Sequence, residues 1–124
     1  MLVDTNIFID FLKGNLYAKK FIEEEENLSA SILTVMEVVA GLPKKNQIKS
    51  FEKFLDKAKI KVLQINETIS LKAYSIFTKF HHQTSTNIPD ALIAATALVY
   101  HEKLTTLNTK HFLKIADLTV IKPY

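Results

Sequence analysis

Short apolar runs alternate along the chain with longer segments in which apolar residues recur every three or four positions. The stretches "MLV", "IKVL", "KLTT" and "LTVI" are typical of short strands. Helical segments separate the first three, and a turn or short helix precedes the last. Strands that alternate with helices predict a parallel sheet covered on both faces. We therefore predict an α/β fold: a three-layer α/β/α sandwich around a mostly parallel central sheet.

The first half of the chain contains three helical segments with recognisable ends. A helix follows "MLVD", where Thr5 and Asn6 are available as caps, and a second covers about residues 17 to 25. "NLSASILTVMEVVAGL" begins as a strand or turn and continues as a helix that Gly41 and Pro43 can end. These segments are placed to cover the sheet formed by the strands between them.

A fourth helix is predicted from about residue 45 to residue 58, with one apolar face and one lysine face. The apolar positions at helical spacing, which we expect to be buried, are Ile48, Phe51, Phe54, Leu55 and Ala58. A lysine recurs every four residues opposite them, at Lys45, Lys49, Lys53 and Lys57. Such a row keeps a helix soluble, or it contacts RNA or another partner.

The second half of the chain predicts two further helices and a short turn. "ETISLKAYSIFTKFHH" has helical spacing, and "TNIPDALIAATALVYHE" predicts a helix capped by Thr86 or Asn87 with Pro89 in its first turn. "TKHFLKI" reads as a turn or short helix between the last two strands.

Composition narrows the class of protein. A chain of 124 residues with 48% hydrophobic content can bury one core, so we expect a single domain over residues 1–124. The absence of cysteine excludes thiolate catalysis, disulfides and cysteine zinc sites. No apolar stretch approaches the ~20 residues that span a bilayer, and no secretion signal is evident, so we expect a cytoplasmic protein without a membrane partner. All 16 basic residues are lysines, so arginine forks on phosphate are excluded.

Three apolar segments each carry one isolated carboxylate. Asp4 is the only charged residue among the first nine, and Glu37 and Asp90 each have at least six uncharged residues on both sides. Burying an unpaired carboxylate costs several kcal/mol, roughly, which favours a shared partner for the three. A hard divalent cation such as Mg²⁺ or Mn²⁺ takes oxygen ligands, and sites gather at the carboxyl ends of parallel strands.

Each acid also has a purely structural interpretation. Asp4 could be a turn or cap residue, Asp90 a charge at a helix amino terminus, and Glu37 a residue on a helix surface. Asp10, which lies beside a lysine-bearing turn, is expected at the surface. A metal site explains the three isolated acids together, whereas the structural interpretation needs three separate reasons.

At these acids the chain resembles the PIN-domain family, and particularly the compact VapC-type toxins of toxin–antitoxin pairs. The matching stretches are "VDTNIFID", "SILTVMEVVAG", "IPDALIAATAL" and "LTTLNTKHF", in that order along nearly the whole chain. The "DTN" opening and the "D-x-x-I-A-A-x-A" pattern are weak signals individually. Four stretches at suitable spacing make the resemblance specific.

The resemblance implies a metal-dependent endoribonuclease that hydrolyses RNA phosphodiester bonds. Asp4, Glu37 and Asp90 would hold the Mg²⁺ or Mn²⁺ ion. Asn108 falls on a fourth catalytic position that is often Asp in the family, so a second ion is expected to bind less tightly than the first. The supporting residues implied around the acids are Thr5, Asn6 and Thr106, the last of which falls on a threonine that helps to orient the acidic cluster.

The resemblance also implies protein partners. VapC-type toxins look like homodimers that are neutralised by a small antitoxin lying over the active-site groove. Apolar residues of the first two helices could make that contact or could belong to the core: Phe11, Leu12, Tyr17, Phe21 and Ile22.

Several other functions are weaker fits or stay open. An aspartyl phosphatase needs a second acid two residues after Asp4, where Asn6 stands, and a receiver domain needs an acidic pair beside the first strand. Nucleotide-binding glycine loops are absent. The four histidines lack zinc-type helical spacing, and His111 is nearest in sequence to the proposed site. A housekeeping RNA-processing nuclease and a degenerate binding module remain alternatives.

Overall fold

The computed structural model describes all 124 residues as five strands and six helices in alternation. The strands are β1 (Leu2–Val3), β2 (Ser29–Ser31), β3 (Lys61–Leu63), β4 (Leu104–Thr105) and β5 (Val120–Ile121). The helices are α1 (Thr5–Leu12), α2 (Leu16–Glu24), α3 (Ile32–Ala40), α4 (Lys45–Lys57), α5 (Glu67–Phe80) and α6 (Ile88–Val99), and a 3-10 turn covers Thr109–His111. Every strand and helix predicted from the sequence is present.

The five strands form one parallel sheet in the order β3-β2-β1-β4-β5. Leu2 of β1 is in register with Ser29 on one side and with Leu104 on the other. The chain fills the sheet from β1 towards β3 and then crosses back to β4. In such sheets the crevice at the carboxyl ends of the strands where the order reverses, here β1 and β4, is the usual ligand site.

Helices cover both faces of the sheet, so the predicted three-layer α/β/α sandwich is confirmed. Successive residues of a strand point to opposite faces. Leu2 packs into a cluster built mainly from α5 and α6, and Val3 packs into a second cluster built from α1, α2, α3 and α4. None of the six helices is both long and apolar enough to cross a membrane.

The amino-terminal cap of α1 differs from the residues expected from the sequence, and the cap of α6 is one of the two expected residues. The prediction that Thr5 or Asn6 caps α1 is wrong: Asp4 is the cap, because its Oδ1 accepts a 2.7 Å hydrogen bond from the Thr5 amide. Of the two candidates for α6, Asn87 is the cap. A carboxylate at the end of β1 therefore has a local structural partner as well as a position at the sheet edge.

The burial of Ala58 and of Asp10 differs from what the sequence predicts. Ala58 is exposed, because it is the carboxyl-terminal cap of α4 and not part of its buried face, whereas Phe51 and Leu55 are buried as expected. Asp10 is half-buried, because it accepts a 2.9 Å hydrogen bond from the Tyr124 hydroxyl. The lysine row of α4 is exposed along its whole length.

Candidate active site

One cavity at the carboxyl edge of the sheet collects the acids that the sequence singles out. Asp4 follows β1, Asn108 follows β4, Glu37 lies in α3 and Asp90 in the first turn of α6. The cavity has a volume of about 230 Å³, and its lining comprises Asp4, Thr5, Asn6, Ile9, Glu37, Asn87, Pro89, Asp90, Ile93, Asn108 and His111. Residues that are more than 100 positions apart in sequence thus share one crevice.

Asp4 is the most deeply buried of the acids, with 6% of its surface exposed. Its Oδ2 accepts a 2.6 Å hydrogen bond from the Thr106 hydroxyl, and its Oδ1 accepts the Thr5 amide. Burial raises the pKa of Asp4 above its ordinary value, the two hydrogen bonds act against that rise, and the charges of Asp90 and Glu37 add to it. The three acids therefore interact electrostatically through the same crevice.

Thr106 is a fully buried hydroxyl whose proton is directed at Asp4. Its Oγ1 accepts a 3.0 Å hydrogen bond from the Asn108 amide, and the Asn6 Nδ2 lies 3.4 Å away. With its lone pairs engaged by donors, the hydroxyl is left to donate to the Asp4 carboxylate. Thr106 does not line the cavity; it supports the residue that does.

Glu37 is half-buried and fixed through one of its oxygens. Its Oε1 accepts a 2.7 Å hydrogen bond from the Thr5 hydroxyl, which ties the start of α1 to α3. The same hydroxyl lies 3.2 Å from the hydroxyl of the buried Thr34. Oε2 makes no hydrogen bond within the chain, and since no buried polar side-chain atom lacks a partner, it is open to solvent.

Asp90 is held by the start of its own helix and by His111. It forms a capping box with Asn87: the Asp90 amide donates to Asn87 Oδ1 at 2.8 Å, and the Asn87 amide donates to Asp90 Oδ2 at 3.1 Å. His111 Nδ1 lies 3.0 Å from the same Oδ2, and Oδ1 is free. Burial raises the pKa of Asp90, and the bond from the Asn87 amide and the proximity of His111 oppose that rise.

Asn108 and His111 complete the rim of the cavity. The Asn108 side chain is exposed and makes no hydrogen bond within the chain, so its amide oxygen can serve a ligand. In the sequence, His111 is distinguished from the other histidines only by its closeness to Asn108. Its contact with Asp90 depends on the fold, and the one available signal is its position three residues beyond Asn108 in the turn after β4.

The donor set of the cavity fits a hard divalent cation. Carboxylate and amide oxygens are the ligands that Mg²⁺ and Mn²⁺ prefer. As the side chains stand, no three acidic or histidine side chains are close enough to ligate one ion together. Mg²⁺ usually takes one or two carboxylates and keeps several waters, so a hydrated ion suits this spacing.

A larger hollow lies at the opposite edge of the sheet and has a different character. It measures about 520 Å³ and is lined by residues that include Lys72, Glu102, Lys103 and Asp117. Its two lysines and two acids balance in charge. The convergence of isolated carboxylates distinguishes the smaller cavity as the candidate site.

Comparison with known proteins identifies the family. The PIN domain family matches residues 1–118. Ribonuclease VapC1 of Methanocaldococcus jannaschii is 30% identical over 94% of this chain and 82% of its own length, and Ribonuclease VapC19 of Mycobacterium tuberculosis is 31% identical over 94% and 95%. A chain of a toxin–antitoxin complex from Klebsiella pneumoniae superposes with a TM-score of 0.83 at 31% identity, over 99% of this chain and 97% of that chain. The protein therefore belongs to the PIN-domain family and, within it, to the VapC ribonucleases.

Proposed function

We propose that this VapC-family ribonuclease is a metal-dependent toxin that hydrolyses RNA phosphodiester bonds with Asp4, Glu37 and Asp90 around one Mg²⁺ or Mn²⁺ ion. The observation that carries the proposal is the convergence of three isolated carboxylates on one cavity. Glu37 Oε2 and Asp90 Oδ1 have no partner within the chain, which leaves them free for an ion or its waters. Asn108 contributes a neutral oxygen, so the first ion binds more tightly than a second.

The residues of the chain have separate tasks in this reaction. A bound Mg²⁺ or Mn²⁺ supplies an activated water and neutralises charge on the phosphate. Thr106 and the Thr5 amide hold the Asp4 carboxylate at the floor of the cavity, and the Thr5 hydroxyl holds Glu37. Because these carboxylates are fixed before RNA arrives, the attacking water and the phosphate meet a preorganised site.

Cleavage of RNA by the purified protein tests the proposal. We expect cleavage that requires Mg²⁺ or Mn²⁺ and that is lost in Asp4→Asn and Asp90→Asn, whereas Asp56→Asn on the exposed surface of α4 is unchanged. Thermal unfolding of each variant in EDTA checks that the variant is folded, so that loss of cleavage reports on the site and not on the fold. Cleavage by both site variants would refute the metal site, and wild-type inactivity with every metal would favour a degenerate binding module.

We further propose a cognate antitoxin as a partner, as in the matched Klebsiella pneumoniae complex. Two apolar hollows of about 390 and 280 Å³ lie side by side along α1, α3 and α4, and they share Leu12, Leu42 and Gln47. Ile9 lines both the first hollow and the acidic cavity. A peptide segment lying along this groove would end at the active site and block RNA.

Of the five apolar residues expected to make this contact, Phe11 and Leu12 line the groove, whereas Tyr17, Phe21 and Ile22 do not. Ile22 is buried and belongs to the core, Phe11 is half-buried in the groove, and Leu12 is 42% exposed at its edge. Leu12→Glu should weaken co-purification with an antitoxin encoded beside this gene. Tyr100→Glu, which changes an equally exposed residue after α6, should not; equal loss in both variants, or in neither, would contradict the proposed groove.

A homodimer is the remaining partner in the proposal. Apolar side chains of α5 and α6 surround an almost wholly apolar hollow of about 270 Å³, and Leu71, Tyr74 and Ile88 are each more than 60% exposed on this side. Exposed apolar surface of this kind is typical of association sites. Tyr74→Glu should convert a dimer to a monomer in light scattering, and a wild-type monomer would contradict the assignment.

A further inference from the structure

The turn after β4 holds His111 against Asp90 through a connected set of contacts. The buried Thr86 hydroxyl donates a 2.6 Å hydrogen bond to the His111 carbonyl oxygen, and the Thr84 hydroxyl lies 2.6 Å from that of Thr86. The next residue, Phe112, is 1% exposed in the core. The backbone of His111 is thus fixed on both sides, which places its side chain within reach of Asp90.

The ring of His111 presents two nitrogens to different surroundings. Nδ1 lies 3.0 Å from Asp90 Oδ2, whereas Nε2 makes no hydrogen bond and is open to solvent in the cavity. An ionised carboxylate only accepts hydrogen bonds, so the proton of a neutral ring must be on Nδ1. Together with the Asn87 amide, this bond occupies Oδ2 and leaves Oδ1 as the oxygen of Asp90 that is free for a ligand.

We propose that His111 is a positioning residue that orients the Asp90 carboxylate for the metal ion by donating its Nδ1 proton to Oδ2. The inference rests on the proposed function, since it assigns His111 to the same metal site. Partners that orient a metal ligand in this way typically contribute about 10–100-fold to metal affinity. His111 acts through Asp90, and its Nε2 is dispensable for this task.

Three substitutions at position 111 separate the two nitrogens of the ring. Asparagine places an N–H donor where Nδ1 stands, glutamine places its amide where Nε2 stands, and alanine removes both. We expect His111→Ala and His111→Gln to weaken Mn²⁺ binding by about 10–100-fold in calorimetry and His111→Asn to retain most of the affinity. His82→Ala, an exposed histidine of the loop after α5, serves as a control without effect.

The outcomes distinguish this inference from the proposed function. Equal affinity of His111→Ala and the wild type overturns it, and so does glutamine rescuing better than asparagine, because Nε2 would then be the group that matters. A readout without metal comes from the ¹⁵N signals of His111 in alkaline EDTA buffer. The wild type should carry the proton on Nδ1, and Asp90→Ala should shift it towards Nε2. A wild-type ring protonated on Nε2 refutes the inference, whether or not the protein binds Mn²⁺. A protein that binds no Mn²⁺ but carries the ring proton on Nδ1 contradicts only the proposed metal site.

Discussion

Thr106 holds the buried carboxylate of Asp4 in place at the floor of the cavity. It is fully buried, donates a 2.6 Å hydrogen bond to Asp4 Oδ2 and receives the Asn108 amide. The residue that follows β4 thereby positions the carboxylate that follows β1. A hydroxyl is needed at this place because only a group that donates and accepts satisfies both neighbours.

We expect Thr106→Val to destabilise the protein, because the same shape without the hydroxyl leaves Asp4 Oδ2 and the Asn108 amide without a partner. An unsatisfied buried partner costs about 1–3 kcal/mol. The loss should appear as a lower free energy of unfolding in urea, and the pKa of Asp4 should rise further because the bond that lowers it is gone. Thr106→Ser, which keeps the hydroxyl, is the control; a Val variant as stable as the Ser variant would contradict this role.

Some residues of the site can be predicted from the sequence, whereas others cannot. Asp4, Glu37 and Asp90 could be singled out because each is the only charge in an apolar segment. The contact of His111 with Asp90 could not be, because it depends on how the turn after β4 is held against the loop before α6. Isolation of charge is a property of the sequence, whereas hydrogen-bond geometry is a property of the fold.

At the scale of elements, the start of α6 joins helix stability to site geometry. Asn87 caps the helix, and its backbone amide in return donates to the Asp90 carboxylate. Asn15 caps α2 in a comparable way by accepting hydrogen bonds from the amides of Tyr17 and Ala18, but it lies outside the acidic cavity. The chain therefore offers two similar caps, of which one adjoins the proposed active site.

We predict that Asn87→Ala and Asn15→Ala each lower stability by about 1 kcal/mol, because removal of an asparagine cap typically costs this much. Only Asn87→Ala should also reduce RNA cleavage and Mn²⁺ affinity, since it frees the first turn of α6 and with it Asp90. Thermal unfolding and calorimetry on both variants provide the comparison. Equal loss of activity in both would mean that global stability, and not the position of Asp90, explains the effect.

Periodicity predicted the elements well, and their ends less well. The helical spacing of apolar residues, together with cap and turn residues, predicted all six helices, each of which buries residues in one of the two core clusters. Thr5 and Asn6 are available in the sequence as caps of α1, but Asp4 is the cap because its Oδ1 accepts a hydrogen bond from the Thr5 amide. Ala58 had the right spacing but lies just beyond the last turn of α4.

At the scale of the whole molecule, residue Tyr124 joins the segment after β5 to the first two helices. Its hydroxyl donates to Asp10 Oδ2 at 2.9 Å, and its ring stacks on that of Tyr17 with the centroids 6.2 Å apart. No periodic pattern in the sequence indicates this contact, because it joins residues more than 100 positions apart. Asp10, which local sequence assigned to the surface, is half-buried through it.

This contact predicts a specific response to alkali. Burial and the bond to Asp10 raise the pKa of Tyr124 well above its ordinary value, so folding favours the protonated phenol. The stabilisation is complete below the unfolded-state pKa of about 10 and is lost as the pH rises through the folded-state value. The stability advantage of the wild type over Tyr124→Phe should therefore be largest below about pH 10 and shrink above it.

Absorbance at the tyrosinate band, followed in parallel with urea unfolding at each pH, measures both parts of this prediction. The wild type should contain one tyrosine that ionises late, and Tyr124→Phe should lose that late step while Tyr100→Phe keeps it. Asp10→Asn should move the step to lower pH, because the carboxylate accepts a hydrogen bond from the phenol and repels the phenolate. A late step that survives in Tyr124→Phe would assign the protected phenol to another tyrosine and remove the link between the last strand and α1.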